Sequence, residues 1–107
     1  MVPVISPREL AVGIENGHSF RLLDVRQAWE NEIAALPDSI HIPLNELTQR
    51  VVEINRDGST LIVYCHHGVR SLSAANFLVR LGFIDVKSLT GGIDAWSCEV
   101  DPKVPRY

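Results

Sequence analysis

A cysteine and an arginine separated by four residues, in Cys65-His66-His67-Gly68-Val69-Arg70, are the residues of this chain best placed to do chemistry. They follow an apolar run, Leu61-Ile62-Val63-Tyr64, and precede a helical pattern that opens at Ser71. A cysteine on such a strand-to-helix turn lies where backbone N–H groups and the helix dipole favour negative charge. The arginine adds a planar cationic fork suited to oxyanions. A nucleophilic thiolate acting on anionic substrates needs both features.

The competing assignment makes Cys65 a small buried hydrophobe at a strand end and Arg70 a surface charge. The position of Arg70 argues against it. A cation at the start of a helix is unfavourable by roughly 0.3–1 kcal/mol unless an anion offsets it. Gly68 suits a backbone with unusual dihedrals or close approach to a ligand. Successive N–H groups in such a loop converge on the sulfur as a nest, and four intervening residues keep the cradle small.

The elements around this loop alternate. Val2 to Ile5 reads as a short strand, followed by a helix from the capping box Ser6-Pro7-Arg8-Glu9 to about Glu15, ended by Asn16-Gly17. Arg21 to Val25 is a second strand, Ala28 to Ile33 a short helical turn, and Ser39 to Ile42 a third strand stopped by Pro43. Leu44, Leu47, Val51 and Ile54 keep helical spacing. Thr60 to Tyr64, apolar on both faces, reads as a central parallel strand. Ala74, Phe77, Leu78 and Leu81 form the next helix face, ended by Gly82. Val86 to Leu89 is a fifth strand, and Gly91-Gly92 opens a last helical turn through Trp96. From about Val100 the tail, with Pro102 and Pro105, is expected to be extended. The pattern predicts one α/β domain over residues 1–107 with a mostly parallel sheet and helices on both faces. Sites in such sheets form beyond the carboxyl ends of the strands, where Cys65 lies.

Composition sets bounds. A net charge of −3 gives no reason to expect nucleic acid or an anionic membrane as a partner. Two cysteines, Cys65 and Cys98, are too few for a disulfide framework and suit free thiols in a reducing compartment. The first residues lack the pattern of a secretory signal, and no apolar run approaches the ~20 residues of a membrane span, so a cytoplasmic location is expected.

Four segments together resemble the single-domain rhodanese family of sulfurtransferases over essentially the whole chain. They are Leu22-Leu23-Asp24-Val25-Arg26 with Trp29-Glu30, then Ser39-Ile40-His41-Ile42-Pro43, then Cys65-His66-His67-Gly68-Val69-Arg70-Ser71, similar to the family's C-x-x-G-x-R-S pattern, and Gly91-Gly92-Ile93-Asp94-Ala95-Trp96. The resemblance implies a three-layer α/β/α domain with a five-stranded, mostly parallel sheet, and no cofactor. It implies that Cys65 takes a sulfane sulfur from thiosulfate or a similar anionic donor as a persulfide and passes it to cyanide, a thiol or a protein acceptor. Arg70 would orient the donor and stabilise departing sulfite, while backbone donors from His66, His67, Gly68, Val69 and Ser71 would hold the sulfur. A sulfur-relay module with little thiosulfate activity would use the same loop. The similar cysteine phosphatases and arsenate reductases place one residue more between cysteine and arginine, so the shorter cradle here favours sulfur over phosphorus.

The remaining polar residues receive structural assignments. His66 and His67 are expected to line the pocket mouth and tune donor binding or acceptor docking. Adjacent ligands on a tight loop share one tetrahedral metal ion poorly. Asp24 and Arg26 read as structural, with Arg26 pairing Glu30. Asp38-Ser39 departs from the Gly-Ala usual in the family before the Ile-x-Ile-Pro-like segment, a change confined to a turn. His41 is expected to pack near that turn, Trp96 to anchor the core, and His18 to be an exposed loop residue. Cys98 is either a resolving thiol for Cys65 or a spare one.

Overall fold

The computed structural model describes residues 2–107. β1 (Val4–Ile5), β2 (Phe20–Asp24), β3 (Ile40–His41), β4 (Thr60–Tyr64) and β5 (Val86–Leu89) form one sheet in the order β1-β5-β4-β2-β3, and every pairing is parallel. β4 lies at the centre because all five of its residues are buried, which only a strand covered on both faces permits. Leu61 and Val63 point into one core with Leu23, Val25, Ala74, Ala75 and Leu78. Ile62 and Tyr64 point into the other with Leu10, Leu89, Ile93 and Trp96. The period-2 alternation of one strand thus seeds two cores and gives the three-layer α/β/α domain.

The helices follow their local signals. α1 (Pro7–Glu15) carries the full capping box: Ser6 Oγ accepts from Glu9 N at 3.1 Å and Glu9 Oε1 accepts from Ser6 N at 2.9 Å. α2 spans Ala28–Ile33. The segment after Pro43 departs from one continuous helix. It breaks into a 3₁₀ turn at Leu44–Glu46, α3 (Leu47–Arg50) and a second 3₁₀ turn at Val51–Glu53. Two β-branched residues, Val51 and Val52, stand where the last turn tightens, and Val52 is exposed.

α4 (Val69–Arg80) begins two residues earlier than the apolar pattern suggests, with Gly68 as a left-handed N-cap. Its buried stripe is Ser71, Ala74, Ala75 and Leu78, at i, i+3, i+4 and i+7, whereas Phe77 is half-buried and Leu81 exposed. Small residues let the helix lie close against β4 and β5, and the stripe's one polar member, Ser71, lies under the cysteine. α5 (Gly92–Glu99) follows the left-handed Gly91. The tail is not extended as expected. Val104 N bonds Asp101 O at 3.1 Å, Ser97 Oγ bonds Val104 O at 2.6 Å, and the chain turns back over α5.

At the departure noted in Asp38-Ser39, Asp38 has a φ of 59°, the left-handed region where glycine is the easy choice and aspartate one of the tolerated alternatives. Ser39 uses its hydroxyl there, 2.8 Å from both Leu36 O and the Tyr64 hydroxyl.

Candidate active site

β4 delivers Cys65 to the carboxyl edge of the sheet, and Gly68, with a φ of 103°, reverses the chain into α4. Two N–H groups consequently point at the sulfur: Gly68 N lies 3.1 Å and Ser71 N 3.3 Å from Cys65 Sγ. Ser71 Oγ stands 3.5 Å from the same sulfur, donates to Gly68 O at 3.1 Å and pairs with Ser88 Oγ on β5 at 2.7 Å. Cys65, Gly68, Ser71 and Ser88 are buried. Donors converging on one sulfur at a helix N-terminus favour negative charge there.

α5 closes the back of this loop. The N–H groups of Ile93 and Asp94 donate to the carbonyls of Cys65 and His66 at 2.9 and 3.1 Å. Gly92, at a φ of 63°, lies so close that a Cβ would overlap those two carbonyl oxygens. The Gly91-Gly92 signature therefore serves the cysteine loop as well as its own helix.

Arg70 occupies the first turn of α4, where the dipole disfavours a cation, and the offsetting anion comes from the chain itself. Glu30 Oε1 and Oε2 accept from Arg70 Nη1 and Nη2 at 2.6 and 2.8 Å. This hold keeps the Glu30 carboxyl at about 2, with burial opposing and the Tyr107 hydroxyl adding to the effect. The same hydrogen bonds raise Arg70.

The expected Arg26–Glu30 ion pair does not form. Arg26 instead grips Asp24, Nη2 to Oδ2 at 2.7 Å and Nε to Oδ1 at 2.9 Å, with both side chains fully buried. Its fork is saturated by Ala34 O at 2.6 Å and the Tyr107 hydroxyl at 2.8 Å, and it reaches only the backbone oxygen of Glu30. Asp24, two residues upstream, matches the guanidinium bidentately, which leaves the Glu30 carboxylate free to turn toward Arg70. Burial weighs most on Arg26 and lowers it, yet Asp24 and Tyr107 more than offset this and raise it overall. His41 Nε2 lies 2.8 Å from Arg26 O, and His18 is exposed but reaches Thr60 Oγ1 at 3.1 Å.

The two histidines differ. The His66 ring stacks on Tyr107 with centroids 3.9 Å apart and planes 9° from parallel. Burial first and His67 second push His66 down, against Asp94 and Glu30, and its buried Nε2 has no hydrogen-bond partner. The His67 side chain is 63% exposed, with Nδ1 3.8 Å from Asp94. Val69 is exposed beside them, and Trp29 meets Tyr107 edge-on at 5.9 Å. Among the described residues no three His, Cys, Asp or Glu side chains gather to hold a metal ion. Cys98 is exposed on α5, whose first turn rather than its last faces the loop. A separate cavity of about 330 Å³, lined by Arg21, Arg56, Phe83 and Ile84, opens at the amino ends of the strands, away from the cysteine.

Three participants escaped the sequence reading. Ser88 had a signal, a serine at an inward position of a buried strand. Glu30, paired with Arg26 on sequence proximity, belongs in the fold to Arg70. Tyr107 has no local signal, since its hydrogen-bond partners Glu30 and Arg26 lie 77 and 81 residues back in the chain.

The family model for the rhodanese-like domain matches residues 6–99. The adenylyltransferase and sulfurtransferase MOCS3-2 of Zea mays is 35% identical over 109 residues, covering 96% of this chain and 23% of that protein. The putative sulfur carrier protein YrkF of Bacillus subtilis is 34% identical, covering 90% of this chain and 51% of that one. The chain thus spans about a quarter and about half of the length of these relatives. The crystal structure of a rhodanese-related protein from Thermoplasma volcanium superposes with a TM-score of 0.84 at 32% identity, covering 98% of this chain and 99% of that one.

Proposed function

The chain belongs to the rhodanese-like domain family, and from that premise we propose that it transfers sulfane sulfur through a persulfide on Cys65. The observation that carries the reading is the convergence of Gly68 N and Ser71 N on Cys65 Sγ. In the first step the Cys65 thiolate attacks the outer sulfur of thiosulfate or a related donor. The donor's S–S bond breaks and its electron pair leaves on sulfite or on the donor thiolate. In the second step an acceptor thiolate or cyanide attacks the terminal sulfur, and the electron pair returns to Cys65. The loop N–H groups stabilise the negative sulfur at both stages, and Arg70 orients an anionic donor. His66 and His67 border the mouth through which donor and acceptor arrive. A reducing cytoplasmic setting suits two unpaired thiols.

A second reading, a relay module that takes persulfide sulfur from a thiol or protein donor, is favoured by the hold of Glu30 on Arg70. Mass analysis of the protein incubated with thiosulfate, with cysteine persulfide or without donor tests both. One added sulfur on Cys65, lost in Cys65→Ser, is expected. Addition from both donors supports the thiosulfate-type enzyme, and addition from the persulfide alone supports the relay. No added sulfur from either donor overturns the function.

A further inference from the structure

We infer that Tyr107 is a specificity-determining positioning residue, which pins Glu30 onto Arg70 and thereby favours persulfide donors over small sulfur oxyanions such as thiosulfate. This rests on the function proposed above and assigns its donor class.

Tyr107 lies beyond residues 6–99, the stretch matched by the family, and its placement belongs to this chain's own tail. Ser97 Oγ anchors Val104 O, and Arg106 grips the Asp94 carboxylate with Nε at 2.8 Å and Nη2 at 3.3 Å. These two attachments carry Tyr107 back across the first turn of α5 to the cysteine loop. There its ring covers His66, and Trp29 meets its edge.

The direction of its hydrogen bonds follows from chemistry. A guanidinium only donates, so the Tyr107 oxygen accepts from Arg26 Nη1, and its single proton goes to Glu30 Oε2 at 2.7 Å. Burial and the neighbouring Glu30 push the Tyr107 hydroxyl up to about 12 despite Arg26, so it retains that proton.

Glu30 then accepts four donors: Gln27 N and Arg70 Nη1 at Oε1, Arg70 Nη2 and Tyr107 at Oε2. Four acceptances fill a carboxylate's capacity, so the group is held at both ends. An oxyanion that needs the Arg70 fork must displace this carboxylate from two charge-assisted hydrogen bonds. A persulfide presents its sulfur to Cys65 without that exchange.

The test compares sulfur transfer from thiosulfate and from cysteine persulfide in wild type, Tyr107→Phe and Glu30→Gln. Tyr107→Phe keeps the stack and removes the bond to Glu30 together with the one accepted from Arg26 Nη1, whose grip on Asp24 remains. It is expected to lower the KM for thiosulfate about 3- to 10-fold, the scale of one hydrogen bond, with a smaller effect on kcat. The ratio of thiosulfate to persulfide kcat/KM rises accordingly. Glu30→Gln, which removes the competing charge, is expected to shift the ratio further in the same direction. An unchanged ratio in both variants, or a parallel fall with both donors, overturns the role of Tyr107 while leaving the persulfide function standing. If wild-type Cys65 gains sulfur from neither donor, the function fails and this inference falls with it.

Discussion

Glu30 on α2 and Arg70 on α4, 40 residues apart, meet in two parallel hydrogen bonds of 2.6 and 2.8 Å at the edge of the cysteine loop. The carboxylate answers an electrostatic problem posed by the sequence: a cation at a helix N-terminus needs an anion.

Stability should record this pairing as a function of pH. Glu30 is held at about 2, first by Arg70, against an ordinary value of 4.5. A carboxyl lowered on folding contributes stability that is fully present above the unfolded value and disappears as pH falls through the folded one. The difference in thermal midpoint between wild type and Glu30→Gln should therefore be constant above about pH 5 and shrink between 4.5 and about 2. A difference independent of pH across that window would contradict the assignment.

Arg26 is expected to be among the costliest side chains to remove. Arg26→Met leaves Asp24 buried without its counter-charge and strands Ala34 O, a loss of about 3–5 kcal/mol. Arg26→Lys keeps the charge but not the fork and should recover only part of it. Urea denaturation of the three proteins measures both, and a loss below ~1 kcal/mol for Arg26→Met would be incompatible with this burial.

Gly92→Ala should damage the site beyond the ordinary cost of a left-handed residue. Gly17, at a φ of 76° with open space around it, provides the control, because Ala there costs only roughly 1–2 kcal/mol. At Gly92 the added carbon also strikes the carbonyls of Cys65 and His66. Gly92→Ala should lose both more stability and Cys65 persulfide formation, whereas Gly17→Ala keeps the latter. Equal behaviour of the two variants in chemical denaturation and donor assays would refute the close approach.

Ser71→Ala removes the hydroxyl beside the sulfur but leaves both backbone N–H donors. Persulfide formation should slow by less than the roughly 10²–10³-fold seen when an oxyanion-hole donor is deleted. It should also leave Ser88 Oγ without its partner, costing about 1–3 kcal/mol. Stopped-flow sulfur transfer and thermal unfolding read the two effects separately. Complete loss of transfer in a folded Ser71→Ala would make the hydroxyl's hold on the loop through Gly68 O, rather than the N–H pair, decisive.

Much of the fold is legible because its signals are local. Ser6 and Glu9 announce the first cap within four residues, and the uninterrupted apolar run Leu61–Tyr64 requires cover on both faces. The cysteine loop is equally local, since Gly68 and Ser71 are bound to Cys65 Sγ by the geometry of one turn. Elsewhere local pattern and tertiary partner diverge. Phe77 fitted an apolar stripe that the sheet instead fills with Ala75, which allows closer packing. Pro102 and Pro105 suggested an extended tail, but Ser97 and Asp94 fold it back.

By itself the sequence determined the parallel α/β alternation, the cysteine on its strand-to-helix turn and the arginine after four intervening residues, because turn chemistry and hydrophobic period act over a few residues. Only the tertiary structure decided which carboxylate serves which arginine and that Tyr107 reaches the site. Asp24 and Glu30 are both within reach of Arg26 along the chain. The choice between them depends on Arg70 and Tyr107, brought from 40 and 77 residues away by packing that no short-range pattern encodes.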